Sequence, residues 1–216
     1  MTDKNFEESI VSFTLPELVD QSFIDELFAE VGALPFSINV NRKKPDGPFM
    51  MMEWAVPTMM VAYIAKPFFE SFLKEAGKDS YEVFKVWLKK ILAMSRRFKL
   101  KTITATESIH KISPNYSQSK VISIVIRLSD DRNLKVLFND NLSQEDWELA
   151  LDSLLDFVVS NYENIAPLQE SDESDSYMRM LRRQPLYAIM DIESNKWVFY
   201  NDLDLARIQM EFDKNK

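Results

Sequence analysis

The 216-residue chain carries one histidine, His110, in the segment "ESIHKISPNYS", with Glu107 and Tyr116 close by. An imidazole, a carboxylate and a phenol are the parts of a general base and its orienting partner. The role also needs a nucleophile or a second acid–base group within hydrogen-bond reach. The sequence has no serine elbow, no oxyanion loop and no second histidine to supply one. A solvated or capping histidine following a strand is the simpler reading, and an enzyme using His110 and nearby acids is ranked third among the functions.

Other chemistries are bounded by what is missing. The absence of cysteine excludes disulfides, thiolate zinc sites, iron–sulfur clusters and cysteine nucleophiles. Gly32, Gly47 and Gly77 are the only glycines and lie too far apart to build a phosphate-cradling loop. The acidic run "QESDESDS" (169–176) holds four acids and three serines, but lacks the glycine and the terminal glutamate of a calcium-binding helix–loop–helix. Asp130 and Asp131 suit a hairpin loop, and Glu145 and Asp146 suit a helix first turn, where the helix dipole favours them. No catalytic, cofactor-binding or metal-binding residue is assigned.

The least ordinary feature is a reversal of charge. The chain has a net charge of −8, yet no acid occurs from Lys85 through Thr106. In that interval Lys85, Lys89, Lys90, Arg96, Arg97, Lys99 and Lys101 place seven cations in seventeen residues. These cations could solvate the outside of a helix and pair with acids elsewhere. Two further readings are docking onto an acidic partner, including the chain's own "QESDESDS", and, behind it, contact with anionic lipid. Nucleic acid is disfavoured, because the adjoining threonine-rich segment has no aromatics for base stacking.

These residues need elements to hold them. "KDSYE" resembles a capping box with Asp79 as N-cap and Glu82 three residues on, opening a helix over 80–99 whose apolar members include Phe84, Trp87, Leu88, Ile91, Leu92 and Met94. Before it, Trp54–Ala65 is a run of twelve residues with Thr58 alone polar, bracketed by Pro57 and Pro67. Twelve is short of the roughly twenty residues of a bilayer crossing. Thr58, Ala62, Lys66, Glu70 and Lys74 recur every four residues, which predicts a buried helix over 54–74 with one narrow wet stripe, ended at Gly77. Further upstream, Leu18, Phe23, Leu27, Phe28 and Val31 fall on one helical face, with Pro16 in a first turn and Gly32 as a stop. "LPFSINV" (34–40) predicts a short strand, followed by a turn at 42–47.

From residue 101 the apolar period changes from 3.6 to 2. Ile103 and Ala105 alternate with threonines, Ile122, Ile124, Ile126 and Leu128 share a face, and Leu134, Val136 and Phe138 repeat the pattern after "SDDRN". This predicts an antiparallel meander over about 101–139 with one wet face. Ser143 and Asp146 form a capping box for a helix that carries Trp147, Leu151, Leu154, Leu155, Val158 and Tyr162 on one stripe. Residues 186–200 predict a hairpin, and a short helix from Asn201 or Asp202 carries Leu205, Ile208 and Phe212 inward.

The expected architecture is α+β: an antiparallel sheet over about 101–139, extended by the 186–200 hairpin, with helices packed on one face. A main domain spans 1–166, an acidic flexible linker spans 167–178, and the hairpin with its helix (179–216) docks on the main domain. The acidic N-terminus, with no apolar h-region, predicts a cytoplasmic location. The expected function is a non-enzymatic protein-interaction or regulatory module. It would use Lys85, Lys89, Lys90, Arg96, Arg97, Lys99 and Lys101 to bind an acidic protein, without a cofactor. The alternative is an effector at membrane surfaces that releases the methionine-rich helix (Met50–Met52, Met59, Met60) onto lipid, guided by the basic helix.

Overall fold

The structure, a computed structural model, describes residues 10–29, 38–44, 58–98, 116–162, 184–191, 194 and 196–214, excluding the side chains of 71–77, 209, 212 and 213. In chain order the elements are β1 (Val11–Pro16), α1 (Gln21–Phe28), β2 (Ile38–Lys43), β3 (Met60–Ile64) and α2 (Leu73–Ser95). They continue with β4 (Gln118–Arg127), β5 (Asn133–Asn139), α3 (Gln144–Asn161), β6 (Leu186–Asp191), β7 (Lys196–Tyr200) and α4 (Asp202–Lys214).

The strands form one seven-stranded sheet in the order β2-β1-β3-β4-β5-β6-β7. It is mixed: β1β2, β3β4 and β5β6 are parallel, whereas β1β3, β4β5 and β6β7 are antiparallel. The α+β class stands, but the purely antiparallel sheet is corrected. Each parallel pair encloses a helix (α1, α2 or α3), as a crossover between parallel strands requires. Period-2 alternation marks a strand but says nothing about which neighbour it takes. The β4–β5 hairpin of the expected meander is present, and its 101–107 strand lies outside the described residues. The 186–200 hairpin extends the sheet, through parallel pairing of β6 with β5.

One face of the sheet is almost wholly apolar. Val40, Phe13, Ala62, Ile124, Val136, Ala188 and Phe199 form a row across all seven strands. α1, α2 and α3 bury Ile24, Leu27, Phe84, Trp87, Leu88, Trp147, Leu151 and Leu154 against it. α4 lies on the opposite face, where Leu205 packs with Tyr116, Leu137, Tyr187 and Ile189. Helices therefore cover both faces, not one. Strands β5 and β6 put apolar residues on both sides, so each side needs a cover.

The 54–74 helix is also corrected. Residues 54–57 lie outside the described residues, while 60–64 form β3, held between β1 and β4 at the middle of the sheet. Met60, Ala62 and Ile64 are buried as the core assignment required, but as alternate residues of a strand. Thr58, expected on a wet stripe, is 7% exposed and shares a 2.6 Å hydrogen bond with the Ser123 hydroxyl. Releasing this segment onto lipid would part β1 from β4, and Met50–Met52 lie outside the described residues. No described helix is long and apolar enough to cross a membrane.

Helical backbone runs unbroken from Lys66 to Ser95, through a π-turn at Phe68–Phe72, so neither a stop at Gly77 nor a capping box at Asp79–Glu82 forms. A mid-helix glycine costs roughly 1 kcal/mol relative to alanine, which the apolar face of α2 outweighs. Upstream, Pro16 closes β1 instead of opening a helix. α1 starts after Asp20, whose carboxylate accepts the Ser22 amide, and Leu18 is 84% exposed in the connecting turn. Val31 and Gly32 lie outside the described residues, and Arg42 and Lys43 belong to β2 rather than to a turn.

Between β4 and β5 the Asp131 amide donates to Leu128 O and the Leu128 amide to Arg132 O. Asp131 sits in the left-handed region at φ 65°. Glycine is the least strained residue there, and a β-branched one the most. Asp131→Gly is therefore expected to change stability by less than about 0.5 kcal/mol, since relief of strain offsets the loss of exposed contacts to Lys66 and Arg127. Asp131→Val is expected to cost about 1–2 kcal/mol; urea denaturation of the pair checks the difference.

Candidate functional site

The basic segment occupies the second half of α2, and the structure divides its cations into two groups. Tyr81, Lys85 and Lys89 lie at i, i+4 and i+8 along the edge of α2 that faces α3, where Asp152 and Asp156 repeat the four-residue spacing. The Lys85 ammonium is 3.2 Å from Asp156 Oδ1 and 3.8 Å from both Asp152 Oδ1 and Glu82 Oε1. Lys89 donates to Asp152 Oδ2, and the Tyr81 hydroxyl donates to Asp156 Oδ1 at 2.9 Å. The Lys85 side chain is only 10% exposed, and its ammonium lies 5.2 Å from the centroid of the Tyr81 ring.

Electrostatics follow from this geometry. Burial alone would lower the Lys85 pKa. The hydrogen bond to Asp156 and the charges of Asp152, Asp156 and Glu82 outweigh it and hold the pKa above the ordinary lysine value. Burial, then the Asp156 hydrogen bond, drives the Tyr81 phenol up. Lys85 and Lys89 are thus cross-braces between two helices.

At the C-terminal end of α2 the arrangement differs. Arg96 donates from Nη1 to Leu142 O at 2.9 Å, and its guanidinium carbon stands 4.6 Å from the centroid of the Trp147 ring. Arg97 donates from Nη1 to both oxygens of Glu26 at 3.0 Å while its side chain remains 60% exposed. Lys90 is half-buried, and Lys99 and Lys101 lie outside the described residues. Sequence reading missed Tyr81, Glu26, Trp147, Asp152 and Asp156 as partners of this face. The matched spacing of Lys85/Lys89 and Asp152/Asp156 was a usable signal for two of them.

A second polar constellation crosses the sheet on the side away from α2 and α3. Asn39, Ser12, Tyr63, Val125, Lys135, Tyr187 and Tyr200 align one per strand from β2 to β7. Burial pulls the Lys135 amine down to about 8. Burial likewise raises Tyr63, with Arg127 opposing and Asp131 adding, and raises Tyr187 together with Asp202. At pH 7 the Lys135 amine is still mostly an ammonium, held in surroundings that disfavour its charge.

His110 and Glu107 lie outside the described residues, whereas Tyr116 is buried beneath α4. Asp146 serves the α3 capping box, and the two bonds from Ser143 lower its pKa. Among the described residues no group of three His, Cys, Asp or Glu could hold a metal ion. No protein-family model, curated protein or solved structure matches the chain.

Proposed function

We propose that the chain is a non-enzymatic interaction module of the cytoplasm that receives an acidic protein segment at the C-terminal end of α2. The observation that carries this reading is the pair of neighbouring guanidinium groups, Arg96 and Arg97, each fixed in place and each at the surface. Arg96 is pre-oriented by the Trp147 ring and a backbone carbonyl, so little side-chain freedom is lost when a carboxylate arrives. Arg97 is tethered by an exposed ion pair worth no more than about 1 kcal/mol, which a partner carboxylate can displace. Lys99 and Lys101 follow two and four residues later in the sequence and add to the local positive charge.

Lys85 and Lys89 are left out of the contact, because Asp152 and Asp156 already engage their ammonium groups; reversing their charge would also weaken the packing of α2 on α3 and confound binding with folding. The test uses Arg96→Gln/Arg97→Gln and a labelled glutamate-rich peptide at low salt. Wild type is expected to bind with an affinity that falls as salt rises, and the double variant to bind about tenfold more weakly or worse. Equal binding by a double variant with an unchanged melting temperature would refute the assignment.

A further inference from the structure

The two edges of the sheet are unlike. β2 ends in Arg42 and Lys43, both exposed, and such charges protect an edge from pairing with another chain. β7, "KWVFY", carries one cation at its start and then four half-buried apolar or aromatic residues. Among the described residues β7 pairs with β6 alone. α3 runs beside it: the Trp197 indole donates to Ala150 O, and the Phe157 and Phe199 rings stack at 5.4 Å. Phe157 nonetheless stays 41% exposed and Leu149, eight residues before it, 61% exposed. Among the described residues, an edge strand with no strand beyond it thus adjoins an exposed apolar flank.

We infer that this edge joins a second copy of the chain, β7 pairing antiparallel with β7 about a two-fold axis through Val198. The sequence of the strand matches itself in that register. Val198 faces Val198, Trp197 faces Phe199 and Lys196 faces Tyr200, so aromatic residues meet aromatic residues and no like charges stand opposite. A two-fold axis normal to the sheet keeps Trp197 and Phe199 on the α3 side in both copies and extends the α3 flanks toward each other. A register displaced by two residues in either direction leaves one aromatic pair, Trp197 with Trp197 or Phe199 with Phe199, in place of two, and in one direction sets Lys196 against Val198.

Sedimentation equilibrium of the full chain from about 1 to about 100 µM, bracketing a micromolar dissociation constant, provides the first measurement. Twice the 25.3 kDa chain mass is expected at the upper end; a monomer throughout overturns the inference. Val198→Lys and Val198→Glu each place like charges directly opposite, and each is expected to raise the dissociation constant at least about tenfold. An equimolar mixture of the two restores the dimer by opposite-charge pairing. A variant that stays dimeric, or a mixture that stays monomeric, overturns the register and with it the interface. Amide exchange on wild type needs no substitution: protection at 196–200 rises with concentration, and unchanged protection in a dimer assigns the contact elsewhere.

Discussion

Replacing Lys135 with methionine is expected to stabilise the protein at pH 7, by on the order of 2–3 kcal/mol. Burial lowers the amine from its ordinary value of 10.5 to about 8, so the folded state at pH 7 holds an ammonium that its surroundings disfavour. Between pH 8 and 10.5 the unfolded chain binds this proton more than the native one does. Stability contributed by this site therefore rises with pH across that window, and the penalty is complete below it. Methionine keeps the length of the stem and removes the charge. The advantage of Lys135→Met should shrink steadily as pH rises from 7.5 towards 10, since the wild type sheds its penalty there. The raised phenol pKa values of Tyr63 and Tyr187 act in the opposite sense, withdrawing stability above pH 10, and do so in both proteins. Urea denaturation of both proteins at pH 7, 8.5 and 9.5 reads the difference. A variant no more stable than wild type at pH 7, or a gap that ignores pH, would refute this account of Lys135.

Where local pattern and tertiary surroundings agree, the fold was legible. Ser143 and Asp146 close their capping box, and Trp147, Leu151, Leu154, Leu155 and Val158 are buried as their spacing required. Ile122, Ile124, Ile126 and Leu128 alternate because one side of β4 is core. β3 was misread because Val61 and Tyr63, on its other side, are themselves apolar or aromatic. A strand between two neighbours loses its period when both faces are half-covered, and a proline-bracketed apolar run then resembles a helix. β1 is a different kind of miss. Val11, Phe13 and Leu15 alternate plainly with Ser12 and Thr14, but a proline at position 16 also fits the first turn of a helix. The basic segment was visible as charge, whereas the side chains that pair with it, Glu26, Asp152 and Asp156, lie up to 71 residues away along the chain. A charge run shows where cations are, not which of them the fold consumes. The mixed sheet was hidden for the same reason, since strand order is a property of long-range pairing.

Trp147→Ala is expected to cost about 3–5 kcal/mol, the range for removing a large buried aromatic. Trp147 is 1% exposed, its ring lies 4.9 Å from that of Phe138, and its indole donates to Asn139 O at 2.8 Å. It therefore fastens the first turn of α3 to the end of β5 while forming the platform beneath Arg96. Trp147→Phe separates the two roles. Phenylalanine keeps a ring in the site, and Asn139 O still accepts the Leu142 amide, so no carbonyl is orphaned. The cost should fall to about 1–2 kcal/mol, reflecting a smaller cavity and one lost hydrogen bond. Binding of the glutamate-rich peptide should then weaken only slightly for Trp147→Phe, because a benzene ring still supports the guanidinium. It should weaken several-fold for Trp147→Ala, measured at a temperature where that variant is still folded. Peptide affinity that ignores both substitutions would detach Arg96 from the proposed contact even if the stability losses come out as expected.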